Sequence, residues 1–144
     1  CIFKIFYLIL HKIKIMSNIK DKLKEYLMGK PTYEKFYILY TEMDYDISFI
    51  KELYPNEVKT FEDLKFGKHR NRFIEGAVQA FLEFDNGHWV SVVGGGHGFY
   101  GDGKRTFEVG FLIPDGGIDV MGWLSAEEVT STMFNIQMKE PYGK

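Results

Sequence analysis

The chain has 144 residues, enough for one domain with little left for a second. Hydrophobic residues at 45% and charged residues at 26% give a globular balance, and aromatics at 17% argue against disorder. A net charge of −2 excludes a general polycation for duplex DNA, one cysteine excludes a disulfide framework or cysteine-based zinc ribbon, and no apolar run reaches the roughly 18 residues of a membrane span.

Residues 1–15, CIFKIFYLILHKIKI, differ from the rest. They hold no acid, Gly, Pro or Ser, and Met16 follows at once. A secretory signal fits poorly, because the lysines mostly follow the apolar stretch and no small-residue cleavage site appears. A strand or amphipathic helix is a second reading. AT-rich DNA read in frame yields the same vocabulary, so we read 1–15 as a non-native or upstream-translated segment and 16–144 as a single α+β domain. Without Lys4, Lys12 and Lys14, 15 basic residues face 20 acidic ones, net −5. The lack of cysteine beyond residue 15 suits a reducing cytoplasm.

Residues 17–29 predict a helix, capped by Ser17 or Asn18, with Ile19, Leu23, Tyr26 and Leu27 in one stripe and Gly29 and Pro31 as stops. Lys35–Tyr40 reads equally as a strand or as part of a buried helix. Asp46 caps a short helix over 47–54, and Thr60 with Asp63 opens a turn at 61–66. Val78 to Phe84 alternates as a strand. Asn86-Gly87 then predicts a type I′ hairpin turn that pairs Phe84 with Trp89 and Glu83 with Val90. That register places Val78, Ala80, Leu82, Phe84, Trp89 and Val93 on the core face. Thr106–Ile113 and Ile118–Met121 are further strands. Ser125 and Glu128 form a capping box, with Leu124 and Val129 as its hydrophobic staple, before a final helix. The expected architecture is an antiparallel three- or four-stranded sheet with helices packed on one face.

Chemistry concentrates in two places. The run GGGHGFYGDGK, residues 94–104, carries His97, Phe99, Tyr100 and Lys104, and Arg105 follows. Glycines there let a backbone approach a ligand and turn consecutive N–H groups toward an anion, or they simply make a flexible connection. The run is neither a Walker loop nor a dinucleotide fingerprint, since a strand follows instead of a helix. The second place is Lys68-His69-Arg70-Asn71-Arg72, a basic run that reads as a phosphate or short nucleic-acid contact, or as a solvated connector. The histidines lack metal-ligand spacing, and His88, just past the turn, is expected to be exposed.

The stretch FDNGHWVSVV (84–93), with Tyr100-Gly101, Phe107-Glu108-Val109, DVMGWLS (119–125) and Glu128-Val129, resembles a group of small bacteriophage accessory proteins. Their pattern is FDNG-x-x-x-SVV, then Tyr-Gly, then D-V-x-G-Y/W-L-S-x-E-x-V. The resemblance covers residues 76–138. No activity comes with the resemblance, but the phage origin it implies favours a stoichiometric binder in the host cytoplasm that counters host defence. Its partner would be a nucleotide-like small molecule or a host defence protein, with no membrane and no broad duplex DNA binding, and the protein would act as a homo-oligomer.

For a nucleotide, Trp89, Phe99 or Tyr100 would stack on a base and Arg70, Arg72 or Arg105 would meet phosphate, with His69, His97 and Lys104 as further ligand-binding candidates. No cofactor, metal or catalytic residue is expected in this reading. A small phosphodiesterase or nuclease using His97 and His69 as acid and base is the enzymatic alternative, and a purely structural protein-contact module is the third.

Overall fold

The computed structural model describes residues 2–143. The chain divides into two compact units, one up to Pro31 and one from Thr32 onward. The first is a single helix, α1 (Ile2–Leu27). The predicted start at Ser17 or Asn18 is therefore overturned: both lie inside α1. No Gly or Pro precedes Gly29, so nothing interrupts the helix upstream of Met16. Gly29, at φ +85, ends it as a left-handed cap, with the Lys30 amide donating to the Leu27 carbonyl at 3.2 Å.

The second unit opens with α2 (Thr32–Tyr37), which runs into a π turn, Ile38–Glu42. The ambiguous KFYILY run is thus helical. It buries Phe36, Ile38 and Leu39, and Phe36 stacks on Phe134 at 5.4 Å. In α3 (Ile47–Leu53) Asp46 caps as expected, its carboxylate accepting from the Phe49 amide at 2.8 Å. A 3-10 turn, Phe61–Asp63, follows. Burial pushes the Asp63 carboxyl upward, but the Thr60 amide at 2.8 Å and Lys51 at 3.2 Å outweigh it and hold the carboxyl below its usual range.

Five strands, not three or four, then form one antiparallel meander: β1 (Gly67–Lys68), β2 (Val78–Glu83), β3 (Trp89–Gly94), β4 (Phe107–Leu112) and β5 (Ile118–Leu124), in that order across the sheet. The extra strand is β1, two residues long and therefore invisible to periodicity. The last helix is α4 (Ala126–Gln137), with the Ser125–Glu128 capping box in place. Val129, Met133 and Ile136 of α4 pack on Ala80, Phe84, Val90, Val92, Phe107, Val109 and Leu124 of the sheet. The helical layer covers this one face.

The first hairpin differs from expectation by one residue. Glu83 pairs with Trp89, Leu82 with Val90 and Ala80 with Val92. Gly87 alone takes a positive φ (+80), its amide reaches the Phe84 carbonyl at 3.0 Å, and the Phe84 amide reaches the His88 carbonyl at 2.8 Å. This is a three-residue loop with a glycine bulge, which Asn-Gly serves as readily as the two-residue turn. A one-residue shift sends every side chain of one strand to the other face. Val90 and Val92 therefore enter the core, while Trp89 and Val93 lie on the opposite face.

The same loop overturns the expected exposure of His88. The ring is buried, with Nε2 3.0 Å from the Glu140 carbonyl. Asn86 is buried too, and its side-chain amide donates to the carbonyls of Ile136 and Lys139.

Candidate functional site

Strand alternation turns Gln79 and Phe81 of β2, with Trp89 and Ser91 of β3, away from the helices. Phe81 is 60% exposed, and its ring lies 5.5 Å from that of Trp89. These four residues, with Lys68 and Arg70, line a hollow of about 380 Å³. Its floor is fixed: the Gln79 side-chain amide donates to the Ser91 hydroxyl at 3.0 Å and accepts from the Arg70 amide at 3.3 Å. An aromatic wall, two cations and neutral hydrogen-bonding groups thus share one open depression.

Lys68 also borders a second hollow, of about 490 Å³, with His69, Asn71, Arg72 and residues 74–78. The main chain of the basic run is fixed here, while Lys68, Arg70, Asn71 and Arg72 are exposed. The His69 amide reaches the Ala77 carbonyl at 3.0 Å. Its ring Nδ1 accepts from the Asn71 amide at 3.0 Å, and Asn71 in turn accepts from the Phe73 amide.

The glycine loop is pressed onto its own chain. A Cβ on Gly94 would lie 2.5 Å from the Gly103 Cα, and one on Gly95 would lie 2.7 Å from the Gly76 carbonyl oxygen. One on Gly101 would lie 2.7 Å from the Phe107 Cα. These glycines permit backbone to pack on backbone. Many of the loop amides are already engaged. Gly95 donates to Gly101, Gly103 to Thr106 and Tyr100 to Glu108, and the amides of Lys104, Arg105 and Thr106 all donate to one oxygen of Asp102. Those three bonds hold the exposed Asp102 carboxyl at about 2.

Of the residues read from the sequence, Trp89 and Arg70 meet in the first hollow, and His69 and Arg72 in the second. Phe99 reaches this region, its ring 5.0 Å from that of His69. Tyr100 lies apart, its ring 6.4 Å from Trp123 and its carbonyl accepting the Trp123 amide at 2.7 Å. Lys104 and Arg105 are exposed on the Asp102 turn, and His97 is exposed within the loop. The sequence reading missed Phe81, Gln79 and Ser91. Their signal was present in the β2 and β3 alternation, but the shifted register concealed which residues share a face.

Another hollow, of about 440 Å³, lies between α3, the 3-10 turn and α4. Its cation, Lys51, is already bonded to the Val58 carbonyl at 2.6 Å and to Asp63, and Glu62 and Glu127 line it. It suits an anionic ligand less well. Among the described residues, no group of three His, Cys, Asp or Glu side chains is placed to hold a metal, and no helix is long and apolar enough to cross a membrane. No protein-family model, curated protein or solved structure matches the chain.

Proposed function

We propose that the protein is a stoichiometric binder of a nucleotide-like ligand. A base stacks on Trp89 beside Phe81, and phosphate meets Arg70 and Lys68. The observation that carries this reading is the aromatic pair at 5.5 Å on the open sheet face, bordered by both cations in one hollow. Stacking on an aromatic platform with a charged rim is a general solution for holding bases, because every base offers a π-face. The lining sets aromatic surface and cations beside neutral hydrogen-bonding groups, a combination suited to holding a ligand. In the role expected of a phage accessory protein in the host cytoplasm, sequestering a nucleotide-like signal would counter host defence. An oligomer acting there would concentrate such sites.

A second reading, occlusion of a host protein, is favoured by the exposed apolar side chains of β5. Ile118 is 61% and Trp123 62% exposed. Incubation with a panel of nucleotides, followed by heat denaturation and mass spectrometry, separates these readings. Intact ligand released from the wild type but not from Trp89→Ala supports the binder. Cleaved product supports the phosphodiesterase alternative. No retained nucleotide leaves the protein-contact reading. Loss of one stacking platform weakens binding by roughly 5- to 150-fold, since base–aromatic stacking contributes about 1–3 kcal/mol.

A further inference from the structure

The two hollows beside the basic run are neighbours, and Lys68 borders both. β1, which carries Lys68, is only two residues long and forms the edge of the sheet. A ligand extending from the aromatic hollow past Lys68 would reach the second. There it finds another cation, Arg72, beside His69 and Asn71. Ile74, Ala77 and Val78 supply an apolar wall, and the Glu75 carboxylate, which would repel a phosphate, can accept from a sugar hydroxyl or a base edge. The second hollow thus offers positive charge at Lys68 and Arg72 for a phosphate and apolar surface for a sugar or base, with one acid that the phosphate must avoid. A mononucleotide filling the first hollow would leave these groups unused.

We infer that the ligand of this site is a short single-stranded nucleic acid: its first base lies on Trp89, and its chain crosses the Lys68 edge so that the next phosphate meets Arg72. This rests on the nucleotide-binding reading above and extends it from one nucleotide to at least two linked by a phosphodiester. The chain's overall acidity, net −2, suits it. A basic run of only five residues holds too few cations to follow the two phosphate rails of a duplex and suits a thin flexible strand. Three cations in five residues, Lys68, Arg70 and Arg72, give that run its charge.

The test is a tryptophan-fluorescence titration of the full chain with UMP, dTMP, the uridine hexamer U6 and the thymidine hexamer dT6, repeated across salt concentrations. Hexamers are expected to bind at least tenfold more tightly than the mononucleotides and to show a steeper salt dependence. Arg72→Ala should bring hexamer affinity close to that of the mononucleotide, and Arg72→Lys should restore part of the gain. Trp89→Ala should weaken both kinds of ligand. U6 binding more tightly than dT6 would identify RNA, and equal binding would identify recognition through phosphate and base alone. Equal affinity for mononucleotide and hexamer, or hexamer binding indifferent to Arg72→Ala, would overturn the extended site while leaving the single-nucleotide reading intact. Failure of all four ligands to bind would overturn both.

Discussion

The side-chain nitrogen of Asn86, at the tip of the first hairpin, donates to the main-chain carbonyl of Ile136 at 2.9 Å. It donates to Lys139 as well, and its oxygen accepts the His88 amide at 3.2 Å. One turn residue thereby fixes the end of α4 against the sheet. Asn86→Ala removes three hydrogen bonds to backbone groups, two of them buried, and should cost about 3 kcal/mol. Urea unfolding would show a lower midpoint with an unchanged slope. Asn86→Asp should cost at least as much at neutral pH, because it turns a carboxylate oxygen toward two carbonyls.

The hairpin register makes adjacent residues behave oppositely. Val90 is completely buried and Trp89 is not. Val90→Ala should lose about 2 kcal/mol through lost burial and a residual cavity. Trp89→Ala should change stability by less than about 1 kcal/mol while weakening nucleotide binding. Thermal unfolding of the two variants measured side by side checks the pairing. A larger loss for Trp89→Ala would restore the type I′ register.

The contact between Gly94 and Gly103 leaves no room for a methyl group. Gly94→Ala should destabilise by on the order of 3 kcal/mol, because main chain and not a movable side-chain tip stands in the way. Gly67→Ala, with nothing within 4 Å of the added carbon, should fall within about 0.5 kcal/mol of wild type. Equal effects at the two positions would mean that the loop is free to move away.

Asp102 fastens the loop by ionic acceptance, and its carboxyl lies at about 2 instead of 3.8. Folding therefore favours its ionised form. The stabilisation is complete above the ordinary value and disappears as pH falls through about 2. Carbon-13 NMR of the Asp102 carboxyl should titrate with that low midpoint, and the amide signals of Lys104, Arg105 and Thr106 should move in the same transition. A midpoint near 3.8 would show that the three bonds do not persist in solution.

Local chemistry was the legible part of this fold. Asp46, Thr60 and Ser125 announce their helices because a cap and its partner lie within one turn, and period-two alternation marks β2 and β4. What escaped depends on distant partners. Asn-Gly accommodates two loop lengths, and only the packing of Val90, Val92 and α4 selects between them. KFYILY is compatible with either secondary structure until Phe36 meets Phe134, 98 positions away. The site was half visible for the same reason. Aromatic and basic residues could be named, but Phe81 joins Trp89 only once the register is known. The glycine loop suggested vacant amides because its acceptor, Asp102, lies within the loop and its packing partner, Gly76, lies on a separate segment.

Every sheet neighbour is also a sequence neighbour, so the five strands can zip up in the order in which a ribosome delivers them. The helical layer cannot. Gln137 exchanges hydrogen bonds with both the amide and the carbonyl of Lys59, at 2.9 and 2.8 Å across 78 positions. Until that late residue has been synthesised, the apolar side of the growing ribbon has no lid. A nascent chain that has not yet released α4 would thus expose the apolar face that Val129, Met133 and Ile136 later cover.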